Sequence, residues 1–117
     1  MAFRPVIANT KQHPFVTIRA NRNGVRELCL SAETHRNIGE PRALAFEWDD
    51  DDALLRITAA SPDSPESSRL PASLDARVAV TTLLTRLGIA VTETTRFPVA
   101  QDGPLAVIAD LSEYVTA

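Results

Sequence analysis

Apolar and polar residues begin to alternate at Val16. Val16 and Ile18 are separated by Thr17 and followed by Arg19. A period of two is the mark of a strand with one buried face. Asn21-Arg22-Asn23-Gly24 interrupts it, and Asn-Gly supplies the positive φ that a tight hairpin turn requires. The return stretch, 25–30, puts Leu28 and Leu30 on one face and Glu27 and Cys29 on the other. Ser31 then predicts a helix start, because its hydroxyl can accept from the free N–H groups of a first turn. Residues 32–38 give two turns, with Glu33 early and Arg36 late, as the helix dipole favours. Gly39 suits the helix exit and Pro41 blocks continuation. Leu44, Phe46 and Trp48 share a face of a third strand, 42–48, and 54–58 forms a fourth, the two joined by Asp49-Asp50-Asp51-Asp52.

The pattern then changes. Residues 61–72 are rich in Ser and Pro and bury little, which predicts a linker. Beyond it, Ser73 caps a predicted helix over 74–87, with Ala76, Val80, Leu83, Leu84 and Leu87 as its apolar stripe and Gly88 as its exit. Strands follow at 96–100 and 105–110, separated by Gln101-Asp102-Gly103-Pro104. Pro98 assigns the first of them to a sheet edge. The expected organisation is an N-terminal unit over 1–60 with an irregular arm, a linker over 61–72, and a helix-plus-hairpin unit over 73–117. The expected fold class is α+β, mainly β. Each half carries a helix, a glycine exit, a strand, an acidic turn and an apolar strand, a coarse internal similarity of order.

Composition adjusts this picture little. The chain has 117 residues, which suits one domain or a small domain with an appendage. Only 5% of residues are aromatic, so Leu, Val, Ile and Ala must supply the core. A small β-rich unit of this kind often gains core by dimerising. The net charge of −3 is not the basic balance typical of nucleic-acid binders, although a local basic face is compatible with it. The single cysteine, Cys29, excludes an internal disulfide and a cysteine-rich zinc site, and its apolar strand predicts a buried, inert thiol. No apolar run approaches the ~20 residues that span a bilayer, and no signal-peptide pattern is present. A cytoplasmic protein with no membrane partner is expected.

Residues 16–58 resemble the AbrB-like swapped-hairpin family of transition-state regulators and antitoxins. The resemblance rests on the hairpin with Gly24, the strand Leu28–Leu30, the short helix with Glu33 and Arg36, Ile38-Gly39, and the apolar hairpin ending at Ile57. It departs from that family's pattern at Ser31, usually proline, and at Val25, usually basic. The resemblance implies a swapped-hairpin-like small β-barrel made by a homodimer. It also implies duplex DNA as partner, contacted by basic residues of the first hairpin and short helix. The matching positions are Arg19, Arg22, Arg26, His35 and Arg36. On a twofold dimer these would form a doubled basic patch against phosphates. The alternative is a protein-interaction or antitoxin-like scaffold using the same dimer without DNA.

No enzyme is expected. The chain has no Gly-x-Ser-x-Gly elbow, no His-x-x-x-His pair and no glycine-rich phosphate loop. The aspartate run lacks the spaced ligands of a calcium loop and reads as a solvated hairpin tip that also discourages edge-to-edge association. No metal and no cofactor are expected.

Overall fold

The computed structural model describes residues 14–65, 67–70 and 77–116. The expected N-terminal arm and the cap at Ser73 lie outside the described residues.

The alternation at the start of the chain produces β1 (Phe15–Ala20) and β2 (Arg26–Leu30), paired antiparallel with Val16 opposite Leu30 and Ile18 opposite Leu28. Val16, Ile18, Leu28 and Leu30 are buried, as their shared parity requires. The turn between them is looser than an Asn-Gly two-residue turn. Its five residues, 21–25, are organised by the Asn21 side chain, whose Oδ1 accepts the N–H groups of Asn23 and Val25. Gly24 holds the positive φ of 81°.

Helix α1 (Ala32–Asn37) starts at Ser31 as expected. Ser31 Oγ accepts the Thr34 N–H at 3.1 Å, and Thr34, fully buried, donates its hydroxyl to the Phe15 carbonyl at 2.9 Å. The cap therefore also fastens the helix to the start of β1. Ser31→Ala should cost about 1 kcal/mol in urea denaturation, and loss of no stability would show that Thr34 alone holds the helix.

Strands β3 (Ala43–Asp49) and β4 (Leu54–Ala60) form the second hairpin. At its tip Asp49 Oδ1 accepts the N–H groups of Asp51 and Asp52, and Asp49–Asp52 are all exposed. The stretch expected to be a linker contributes a two-residue strand, β5 (Ser68–Arg69), on β3.

The predicted helix over 74–87 is corrected in its first half. Among the described residues, Arg77–Ala79 is a strand, β6, and the helix α2 is confined to Thr81–Leu87. The reason is tertiary. Val78 is β-branched and sits directly opposite Leu28 on β2, where it is buried. Arg77 pairs with Glu27 at 3.8 Å. The Val80 N–H continues the ladder to the Arg26 carbonyl. Gly88, at φ 70°, ends α2 as expected, its N–H bonded back into the last turn.

The last hairpin, β7 (Thr95–Gln101) and β8 (Ala106–Asp110), does not stand apart. It lies between the first two, giving the order β5-β3-β4-β8-β7-β1-β2-β6 in one curled antiparallel sheet of eight strands among the described residues. The described residues are thus mainly β with two short α-helices. Strand β7 changes partner along its length. Residues 95–98 pair with β1 and residues 99–101 with β8. Pro98 sits at that handover, inside the sheet, which corrects the expected edge position. The Val99 N–H donates to the Pro14 carbonyl. Successive N–H groups of a strand point to opposite flanks, so the Pro98 nitrogen faces the flank where β8 pairing begins only at Val99.

The core lies on the inner face of the curl, where Ile18, Leu28, Leu44, Leu55, Ile57, Phe97 and Val107 are buried together. Leu111 leads into a 3-10 turn at Ser112–Tyr114, whose Tyr114 ring meets Phe97 edge-on at 5.2 Å.

The strand order has an internal twofold character. Exchanging β1 with β5, β2 with β6, β3 with β7 and β4 with β8 turns the ladder β3–β4 into β7–β8, and β3–β5 into β7–β1. The β2–β6 and β4–β8 ladders map onto themselves, and both are antiparallel, as a twofold axis through them demands. Among the described residues only β1–β2 lacks a counterpart, and β5 and β6 are the two ends of the sheet. Helix α1 follows β2, and α2 follows β6.

Candidate nucleic-acid interface

The five basic residues singled out in the sequence fall into two groups. Arg22 lies in the 21–25 loop and Arg26 at the start of β2, at one end of the first hairpin. His35 and Arg36 lie on α1, which is anchored to Phe15 at the other end. A strand of this length separates the ends by roughly 17 Å. Arg19 lies between them on β1.

Their surroundings differ. Arg22 is exposed in its loop and its side chain has no ion pair or hydrogen bond among the described residues, and Arg36 is likewise exposed and unpaired in the last turn of α1. Arg19 is exposed but lies directly opposite Glu27 in the β1–β2 register. Arg26 is half-buried. Its Nε donates to the Val91 carbonyl at 2.5 Å and its Nη1 to the Val25 carbonyl at 3.2 Å, so the guanidinium ties the first hairpin to the segment after α2. His35 is also half-buried, with Nε2–H donating to the Pro41 carbonyl at 2.9 Å across the turn that leaves α1. Arg26 and His35 are therefore engaged in the fold, and Arg22 and Arg36 are the two with free charge to offer.

Acidic groups are distributed unevenly around them. Arg56 is shared by Asp102 at 2.9 Å and Glu47 at 3.6 Å on the outer face of β3 and β4. The aspartate tip meets the end of β8, where Leu54 pairs with Asp110 and the Leu111 N–H reaches the Ala53 carbonyl. Asp49–Asp52 and Asp110 are gathered there, while at the base of the 21–25 loop the Ala20 N–H meets Thr94 Oγ1 and the Arg26 N–H meets Thr81 Oγ1, with Glu27 and Glu93 adjacent in the chain.

The sequence pattern did not single out α2 as part of this surface. The Arg26 N–H donates to Thr81 Oγ1 at 2.8 Å, which sets the first turn of α2 against the base of the 21–25 loop. Arg86 is exposed in the last turn of the same helix. A basic residue in a last helical turn is a detectable signal, but its neighbour in space depends on the β2–β6 pairing.

Cys29 is half-buried rather than fully buried, on the opposite parity to Leu28 and Leu30. Desolvation is the main cause that raises its pKa above the ordinary thiol value, with the nearby Arg19 opposing it. A native state that holds this proton more tightly than the unfolded chain is favoured below the ordinary thiol range, and that contribution is lost as pH rises above it. At pH 8, a chromogenic disulfide reagent should label Cys29 at least several-fold more slowly than a free thiol, because only the thiolate attacks. Labelling at the free-thiol rate would contradict the half-buried placement.

Among the described residues, no helix is long and apolar enough to cross a membrane. No protein-family model, curated protein or solved structure matches the chain.

Proposed function

We propose that this chain is a non-enzymatic, DNA-binding regulator that meets duplex DNA with the exposed cations of a swapped-hairpin-like barrel. The observation that carries the reading is the free state of Arg22 and Arg36. Both are exposed without ion pairs among the described residues, whereas Arg56 and Arg77 are paired to carboxylates. Guanidinium groups in that state bind phosphate oxygens and release condensed counterions, which drives association without sequence information. Arg26 and His35 act through the fold in this reading. They fix the 21–25 loop and the exit of α1, and so fix where Arg22 and Arg36 stand.

A second reading is a protein-interaction module that uses the same barrel without DNA. It is favoured by the net charge of −3 and by the acids gathered at the β3–β4 tip.

Fluorescence anisotropy with a labelled duplex separates the two. Under the first reading, log K falls linearly with log salt, and Arg22→Ala with Arg36→Ala makes that slope shallower by about 2. No salt-sensitive binding at low ionic strength would eliminate the DNA reading and leave the protein-interaction module.

A further inference from the structure

We infer that the chain is a fused pair of β-β-α-β-β half-units, residues 15–60 and 68–110, and that it engages DNA as a single copy, with Arg86 as a phosphate-contacting residue. The DNA part rests on the function proposed above, and the fused-pair part does not.

The argument for fusion is the register. The β2–β6 ladder is centred on Leu28 opposite Val78, and the β4–β8 ladder on Arg56 opposite Ile108. Each ladder joins an element of the first half to its own counterpart in the second. Leu44 on β3 faces Ser68 on β5 as Phe97 on β7 faces Val16 on β1. The buried pair Leu55 and Ile57 on β4 corresponds to Val107 and Ala109 on β8. Both helices end in a cation followed by a positive-φ glycine, Arg36 before Gly39 and Arg86 before Gly88. Ladders that map onto themselves are what a homodimer of half-units would form between two chains. Here both sides come from one chain, so the second copy expected from the sequence is already present.

This arrangement explains why Arg86 matters. The axis through β2 and β6 relates the two ends of the first hairpin. One end carries Arg36 on α1, and the other carries Arg22 beside α2, the helix whose last turn bears Arg86. The two ends are not equal. Their exposed cations differ, with Arg22 in the loop beside α2 at one end, and Arg36 on α1 at the other, where the Arg96 guanidinium lies over the Phe15 ring at 4.4 Å. A surface of that kind fits a duplex site without a palindrome.

Sedimentation velocity on the full chain, alone and with a labelled non-palindromic duplex, combined with salt titration of Arg86→Ala, tests this. The expected mass is that of one chain, 12.7 kDa, and the complex contains one chain per duplex. Arg86→Ala should make the log K against log salt slope shallower by about 1, while Arg56→Ala, whose charge is already shared by two carboxylates, leaves it unchanged. A free particle of twice the mass overturns the fused pair. An unchanged slope for Arg86→Ala overturns the role given to that residue. A single-chain mass with no duplex binding by the unsubstituted protein overturns the DNA reading and supports the fused pair.

Discussion

Leu28→Ala should lower the unfolding free energy by about 3 kcal/mol, the typical cost of emptying a fully buried leucine site. Leu28 has no exposed surface, and it is flanked by Ile18 on β1 and Val78 on β6. It is a residue on which strands of the two halves of the chain meet, so the cavity cannot be closed by moving one strand alone. Small domains have only about 5–15 kcal/mol in total. The urea midpoint should fall by roughly 1–3 M at an ordinary slope, with the slope itself unchanged. Leu28→Ile keeps the volume and should cost under about 1.5 kcal/mol. A shift for Leu28→Ala as small as that for Leu28→Ile would show that the β2–β6 seam is not packed as described.

Phe97→Ala should cost about 4 kcal/mol. Phe97 is 4% exposed and stands opposite Val16 at the place where β7 leaves β1 for β8. Its ring meets Tyr114 at 5.2 Å with the planes 73° apart, a geometry worth about 1 kcal/mol beyond the area it buries. Tyr114→Leu removes the aromatic pairing and retains most of the apolar volume, so its loss should be the smaller. If Tyr114→Leu were as damaging as Phe97→Ala, the C-terminal turn rather than the β7 core would be the source of the stability. Near-UV circular dichroism gives a second readout, because the fixed Phe97–Tyr114 contact contributes to that signal.

The elements legible in the sequence are those whose causes are local. Ser31 and Gly39 bracket α1 because a cap and a left-handed exit need only their own neighbours. The parity of Leu28 and Leu30 fixes their face for the same reason. Arg77-Val78-Ala79 is different. Its residues fit the helical stripe read from the sequence, and the choice of strand is made by Leu28, which is remote in the chain. Pro98 obeys the rule that proline avoids ladder hydrogen bonds, but it does so at a change of partner instead of at an edge. Within the candidate site, Arg22 and Arg36 were legible as exposed because a loop and a helix end are exposed almost wherever they occur. Arg26 and His35 were not legible as structural, because their partners are the carbonyls of Val91 and Pro41, which only folding brings into reach.

The central position of β7 and β8 fixes the order in which the molecule can be completed. Strands β1 and β4 each keep one flank unpaired until residues 95–110 arrive, and Phe15 must wait for Pro98. As the chain is synthesised, its first half emerges with two hairpins and no strand to join them, so no finished sheet exists before the last hairpin is made. Contacts this distant in sequence place folding in the millisecond-to-second range typical of non-local β topologies, at roughly that scale. During that interval the flanks of β1 and β4 are open to any passing strand, and the short end strands β5 and β6 offer little to pair with once the sheet is complete.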